Sequence, residues 1–135
     1  MFLDTNILVY GAQGRSSAPH KFAAARRIVL EEDYGTSAQV LAEFYVTVTR
    51  NGAPPLTPEV AMRWVRSLSK KPCQPVDETI VRAGIQLSQR HQISYWDGAV
   101  IAAATRLGAT TLYSEDLNHG QMYGSVRVVN PFAGL

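Results

Sequence analysis

The sequence predicts an α/β fold in which a parallel sheet packs between helices. Short apolar runs alternate with longer helix-forming stretches along the whole chain, and clear punctuation separates them. Neither an internal repeat nor a low-complexity tract interrupts that alternation. At 135 residues the length suits one domain with its own core and leaves little room for two.

The elements follow in order. Residues 1–11, MFLDTNILVYG, read as a short buried strand running into a turn or helix start. After the polar break GAQGRSS, Pro19 to Leu30 is a series of strong helix formers. Tyr34 to Ser37 leaves space for a brief strand. SAQVLAEFYVTVTR is helical despite its β-branched residues, and NGAPPLTPE is punctuation, with Thr57-Pro58-Glu59 as N-cap and first turn. AMRWVRSLSKK continues that helix with a basic face. Cys73 to Val76 is a second brief strand, and DETIVRAGIQLSQRH is an amphipathic helix. SYWDGAVIAAATRLG is a helix ending at Gly108, a good residue just past a helix end. ATTLY and VRVVN are strands on either side of the polar loop SEDLNHGQMYGS.

Composition excludes more than it selects. With 46% hydrophobic and 18% charged residues the chain is far from the disordered class. A net charge of +2 does not diagnose a nucleic-acid partner. Most of the 13 basic residues are Arg, whose planar fork suits phosphate and so permits one. The lone Cys73 rules out an internal disulfide and zinc-ribbon spacing and fits a reducing compartment. No signal peptide follows Met1 and no apolar run is long enough for a membrane span, so the expectation is a soluble cytoplasmic protein.

Charge falls where the pattern does not want it. On a helical wheel SAQVLAEFYVTVTR is apolar or small around nearly its whole circumference, as a buried helix is, and carries only Glu43 and Arg50. The alternative is a good helix former on a narrow wet stripe. Asp97 stands at the mouth of a helix with no other charge before Arg106. There Ser94-x-x-Asp97 also fits a capping box, with an acid favoured by the helix dipole. Asp4 closes an apolar strand at its carboxyl end, where open parallel sheets hold ligands, though it equally fits an Asp turn or N-cap before Thr5. Ser114-Glu115-Asp116 follows another strand end. Were these acids to converge, each pair at about 5 Å would repel by about 3 kcal/mol at an effective dielectric near 20. Only a cation would keep all of them charged, and hard oxygen donors without His or Cys point to Mg²⁺ or Mn²⁺.

These residues carry a family resemblance. FLDTNILVY with Asp4, VLAEFY with Glu43, ISYWDGAVIAAA with Asp97 and LYSEDL with Asp116 resemble the PIN-domain ribonucleases. The likeness is greatest to the VapC type, the toxin half of bacterial toxin–antitoxin pairs. It covers essentially the whole chain, so residues 1–135 are expected to form a single PIN domain. The resemblance implies a three-layer α/β/α sandwich with strand order 3-2-1-4-5 and acids gathered at the strand C-termini. It implies Mg²⁺- or Mn²⁺-dependent cleavage of single-stranded or loop RNA, a homodimer, and a small cognate antitoxin. By position Asp4 and Asp97 would ligate the metal directly, while Glu43 and Asp116 would complete the site through water or a second ion. Asn6 and Ser114 would orient the carboxylates. The strand before Asp4 is unusually short for the family.

A site of acids needs basic groups at its rim to hold RNA. Arg50, Arg63, Arg66, Lys70 and Lys71 offer a basic stretch, and Trp64 or Trp96 a stacking surface. Asp116 is preferred over Glu115 because the family pattern reads Thr or Ser, any residue, then Asp. A dehalogenase-type phosphatase, which also opens on a strand ending in Asp, would need a second Asp where this chain has Asn6. A PIN-like module that binds RNA or a partner without cutting is the other alternative, and the four intact acids weigh against it. No nucleotide-binding loop or Ser-nucleophile motif is present, and His20, His91 and His119 have no metal spacing.

Overall fold

The computed structural model describes residues 1–52 and 54–135. Of the punctuation before Thr57, Ala53 lies outside the described residues. The elements in order are β1 (Phe2–Leu3), α1 (Thr5–Gln13), α2 (Pro19–Glu31), β2 (Thr36–Ser37), α3 (Ala38–Arg50) and α4 (Pro58–Leu68). They continue with β3 (Cys73–Gln74), α5 (Glu78–His91), α6 (Tyr95–Arg106), β4 (Thr111–Tyr113), β5 (Met122–Tyr123) and β6 (Val126–Val129).

Parallel pairing joins β1 to β4, β4 to β6, and β2 to β3. A single bridge between Phe2 and Gly35 links the two sheets, with Gly35 N–H donating to Met1 O at 2.9 Å and Leu3 N–H to Gly35 O at 3.1 Å. Across that bridge the order is β3-β2-β1-β4-β6-β5. The five expected strands therefore stand in the expected 3-2-1-4-5 order, with β6 as the fifth. One element departs from expectation. The polar loop after β4 contains β5, which turns back antiparallel onto β6. Its two residues show no alternating pattern, and its pairing partner sits just beyond Gly124, whose φ of 63° makes the turn.

The apolar run Ile7 to Tyr10 is helical rather than an extension of β1. Asp4 ends the strand in extended conformation and caps α1, its Oδ1 accepting from Thr5 N–H at 2.7 Å. Ser37, Thr57, Asp77 and Ser94 cap α3, α4, α5 and α6, each side chain accepting from the N–H three residues on. Gly108 follows α6 with φ of 77°, as its position predicts.

The core gathers Phe2 and Leu3 of β1, Leu112 of β4 and Val126 and Val128 of β6 against Ile7, Leu8, Ile28, Phe44 and Ile101 from the helices. Helix α6 is buried from Gly98 to Ala104, which explains its want of charge. Its small residues let it approach α5 very closely, and a Cβ on Gly98 would fall against the carbonyl of Gly84. Helix α3 is less buried than its apolar circumference predicts. It buries Val40, Leu41, Phe44 and Val48 but leaves Ala42 and Val46 exposed along a cleft. Among the described residues no helix is long and apolar enough to cross a membrane.

Candidate active site

The register of β1 and β4 builds the centre of the site. Leu3 pairs with Tyr113, so the next residues along the two parallel strands, Asp4 and Ser114, leave the sheet side by side. Asp4 N–H donates to Tyr113 O at 3.0 Å, and the buried Ser114 hydroxyl donates to Asp4 Oδ2 at 2.8 Å. Asn6, in the first turn of α1, reaches both acids from this edge: its Nδ2 lies 3.4 Å from Asp4 Oδ2 and 3.1 Å from Asp116 Oδ2. Its Oδ1 accepts from the Glu115 N–H at 3.3 Å, and Ser114 Oγ accepts from the Asp116 N–H at 3.2 Å. The turn after β4 is thereby tied to the turn after β1.

Helices supply the other two acids. Glu43 lies in the second turn of α3, where its Oε2 accepts from the Thr5 hydroxyl at 3.2 Å and its Oε1 from Gln39 Nε2 at 3.0 Å. Asp97 lies in the first turn of α6, and its N–H is capped by Ser94 Oγ at 3.1 Å. Asp4, Glu43, Asp97 and Asp116 all line one cleft of about 630 Å³, with Thr5, Gln39, Ala42, Val46, Thr47, Trp96 and Val100. Asp4 caps α1 through Oδ1 and accepts from Ser114 through Oδ2, while its side chain lines the cleft.

Burial sets the electrostatics. Asp4 is 5% exposed, and loss of water raises its carboxyl from the ordinary 3.8 to about 6. Hydrogen bonds from Ser114 and Thr5 oppose that rise, and the charges of Asp116 and Asp97 add to it. Asp97 is pushed upward too, first by burial and then by Asp116, against a hydrogen bond from Ser94. These acids therefore feel one another across the cleft. As placed, they are not drawn into a single coordination shell: among the described residues no three Asp, Glu, His or Cys side chains stand close enough to hold one ion. The donor chemistry nevertheless fits a hard cation, since among the described residues the cleft carries four carboxylates and neither thiol nor imidazole.

A family model of the PIN domain matches residues 1–124. The chain belongs to the PIN domain family. Solved structures with the same fold include VapC20 of Mycobacterium tuberculosis, described as a Sarcin-Ricin loop cleaving toxin. It has a TM-score of 0.70 and 19% identity over 93% of this chain and 98% of that one. A toxin–antitoxin complex from Klebsiella pneumoniae gives 0.68 and 18%, covering 97% of each chain. FitAcB from Neisseria gonorrhoeae gives 0.62 and 22%, again covering 97% of each. Identities this low carry the fold alone. No curated protein matches the sequence.

This PIN domain does not bring the expected basic rim into the cleft. Arg50 is exposed at the end of α3, and Arg63 and Arg66 are exposed on α4, but none of them lines it. Lys71 sits over the Tyr34 ring beside Met1, Gly35 and Ala109, at the opposite end of the strands. Trp64 is packed, tilted against Phe44 with Arg26 over its ring. Trp96, by contrast, opens into the cleft. Two further contributors were not singled out from the sequence, Thr5 and Gln39. Gln39 stands four residues before Glu43, a spacing that signals contact on a helix. The contact of Thr5 with Glu43 spans 38 residues and has no such signal.

Proposed function

We propose that this PIN domain is a Mg²⁺- or Mn²⁺-dependent endoribonuclease that cleaves single-stranded or loop RNA. We further propose that it is the toxin of a toxin–antitoxin pair. The observation that carries the nuclease reading is the buried Asp4 carboxylate, facing a cleft shared with Glu43, Asp97 and Asp116. A cost of burial that evolution need not accept becomes useful when a cation offsets it. Asp4 and Asp97 would hold the ion directly, with Glu43 and Asp116 joining through water or a second ion. A bound divalent ion supplies charge neutralisation at the phosphate and a more acidic water.

The protein's own groups supply position. Ser114 and Asn6 fix the Asp4 carboxylate, and Asn6 also restrains Asp116. Thr5 and Gln39 hold Glu43 by one hydrogen bond on each oxygen, leaving lone pairs to accept a proton from an attacking water.

The toxin reading is supported by the fold shared with VapC20 and with the Klebsiella toxin–antitoxin complex. It brings with it a small antitoxin, a homodimer and a cytoplasmic site of action. The test is incubation of the purified chain with RNA, with and without Mg²⁺ or Mn²⁺, followed by mapping of the cut ends. Cleavage that persists in excess EDTA overturns the metal mechanism, and binding without cleavage leaves a non-catalytic module. Expression of the chain alone should slow bacterial growth, and co-expression of the adjacent small gene should relieve it. Toxicity equal in Asp4→Ala overturns the toxin reading.

A further inference from the structure

The cleft is acidic on one side and apolar on the other. Among the described residues its lining holds four carboxylates and no Lys or Arg. A nucleotide beside the acids must therefore be gripped by something other than a cation from the protein. Among the described residues the apolar wall consists of Ala42, Val46, Val100 and Trp96, and Trp96 is its one aromatic.

Three features of Trp96 set it apart from an ordinary surface residue. It is 60% exposed, far more than most large apolar side chains of the molecule. It immediately precedes Asp97, so its ring and that carboxylate leave the same first turn of α6. It is also propped from behind: the Tyr95 ring meets it edge-on, with centroids 5.1 Å apart and planes at 72°. Tyr95 in turn is seated against Gly84 of α5, where even a Cβ would come within 3.0 Å of its ring. The closely packed α5–α6 pair thus holds an indole in place at the edge of the acid cleft.

The geometry points to Trp96 as a stacking platform for one unpaired nucleobase next to the scissile phosphate, an inference that rests on the nuclease reading of the same cleft. A base is neutral, flat and apolar on its faces, so it can cover the ring without bringing more negative charge toward the acids. A protein that brought no cation of its own to the ring would strip water from Asp97 and Asp116 without neutralising them, which costs rather than stabilises. Stacking tolerates any base, because every base has a π-face. The platform therefore selects unpaired over paired RNA and gives little sequence preference of its own.

The chain has two tryptophans, so Trp64→Phe leaves Trp96 as the sole tryptophan, selectively excited over the tyrosines in the full-length protein. A short single-stranded oligoadenylate, added with Ca²⁺ to neutralise the acids while slowing hydrolysis, should quench its emission saturably. An abasic ribose-phosphate oligomer of the same length should bind about tenfold more weakly or worse, and quench little. In cleavage assays with Mg²⁺, Trp96→Ala and Trp96→Leu should raise KM about tenfold or more with kcat changed less than about threefold. Trp96→Phe should restore most of the affinity. Equal quenching by both oligomers overturns the proposal, as does a Trp96→Leu enzyme with unchanged KM. Loss of self-association in Trp96→Ala with unchanged RNA binding overturns it in favour of a protein-contact surface. Base-dependent quenching in a chain that cleaves nothing sustains the platform and defeats the nuclease reading instead.

Discussion

Lys21 Nζ stands 2.7 Å from Glu115 Oε2, and the Tyr10 hydroxyl donates to the other oxygen of the same carboxylate at 2.8 Å. Both oxygens of Glu115 are therefore committed outside the cleft, while its neighbour Asp116 lines it. The Lys21 side chain is 37% exposed and that of Glu115 21%, so solvent screens the pair and it adds little to stability while still fixing where Glu115 points. Asp116→Asn should lower kcat at least tenfold under saturating Mn²⁺, and Glu115→Gln no more than about threefold. Steady-state kinetics of the two variants side by side decide the assignment, which is wrong if Glu115→Gln is the more damaging.

The raised carboxyl of Asp4 makes the metal-free protein sensitive to pH. Between 3.8 and about 6 the folded chain keeps a proton that the unfolded chain has released. Stability therefore falls as pH rises through that window and levels off above it, the difference for this group reaching about 3 kcal/mol. Asn at position 4 keeps the capping oxygen without the charge. Asp4→Asn should thus flatten the slope and raise the metal-free melting temperature at pH 7 by several degrees. Thermal denaturation in EDTA at a series of pH values measures both.

Cation binding should move stability in the opposite sense. Mg²⁺ or Mn²⁺ raises the melting temperature of the native chain by mass action, and Asp97→Asn should remove most of that rise. The capping duty at this helix start falls to Ser94, whose Oγ accepts from the Asp97 N–H. Ser94→Ala should accordingly cost about 1 kcal/mol whether or not metal is present. Asp97→Asn should raise the stability of the metal-free protein; a loss of similar size would mean that the acid serves the helix instead.

The contact of α5 with α6 has no room to give. Gly98→Ala would set a methyl group against the Gly84 carbonyl, backbone against which no rotamer change can make space. Overpacking of this kind costs about 1–3 kcal/mol and more when backbone must shift. Urea denaturation of Gly98→Ala should show a loss at the upper end of that range or beyond, and Gly108→Ala a smaller one from its positive φ alone.

Much of this architecture was legible because short-range rules decide it. The caps at Thr57 and Ser94 and the stop at Gly108 each depend on residues within one turn. The uncharged run from Gly98 to Ala104 announces its own burial. What could not be read depends on partners remote in sequence. β5 exists because Met122 and Tyr123 meet β6, and the polar loop around them hides it. The open side of α3 is apolar because it walls a cleft, and a helical wheel cannot tell that from a core. Trp64 and Trp96 are alike in sequence, and only packing assigns one to Phe44 and the other to the cleft. The arginines show where positive charge is carried but not which way it faces.

The hydrogen bond from Ser114 to Asp4 spans 110 residues, nearly the length of the chain. During synthesis at about 5–20 residues per second, the first acid waits about 5–20 s for the strand that completes its surroundings. Until β4 has been made and has slotted beside β1, Asp4 has neither its hydroxyl partner nor a neighbouring Asp116. A nascent chain therefore carries no assembled cleft, and any truncation before Ser114 leaves none. Timing is built into the topology: whatever chemistry the cleft performs, the ribosome finishes most of its work before that chemistry begins.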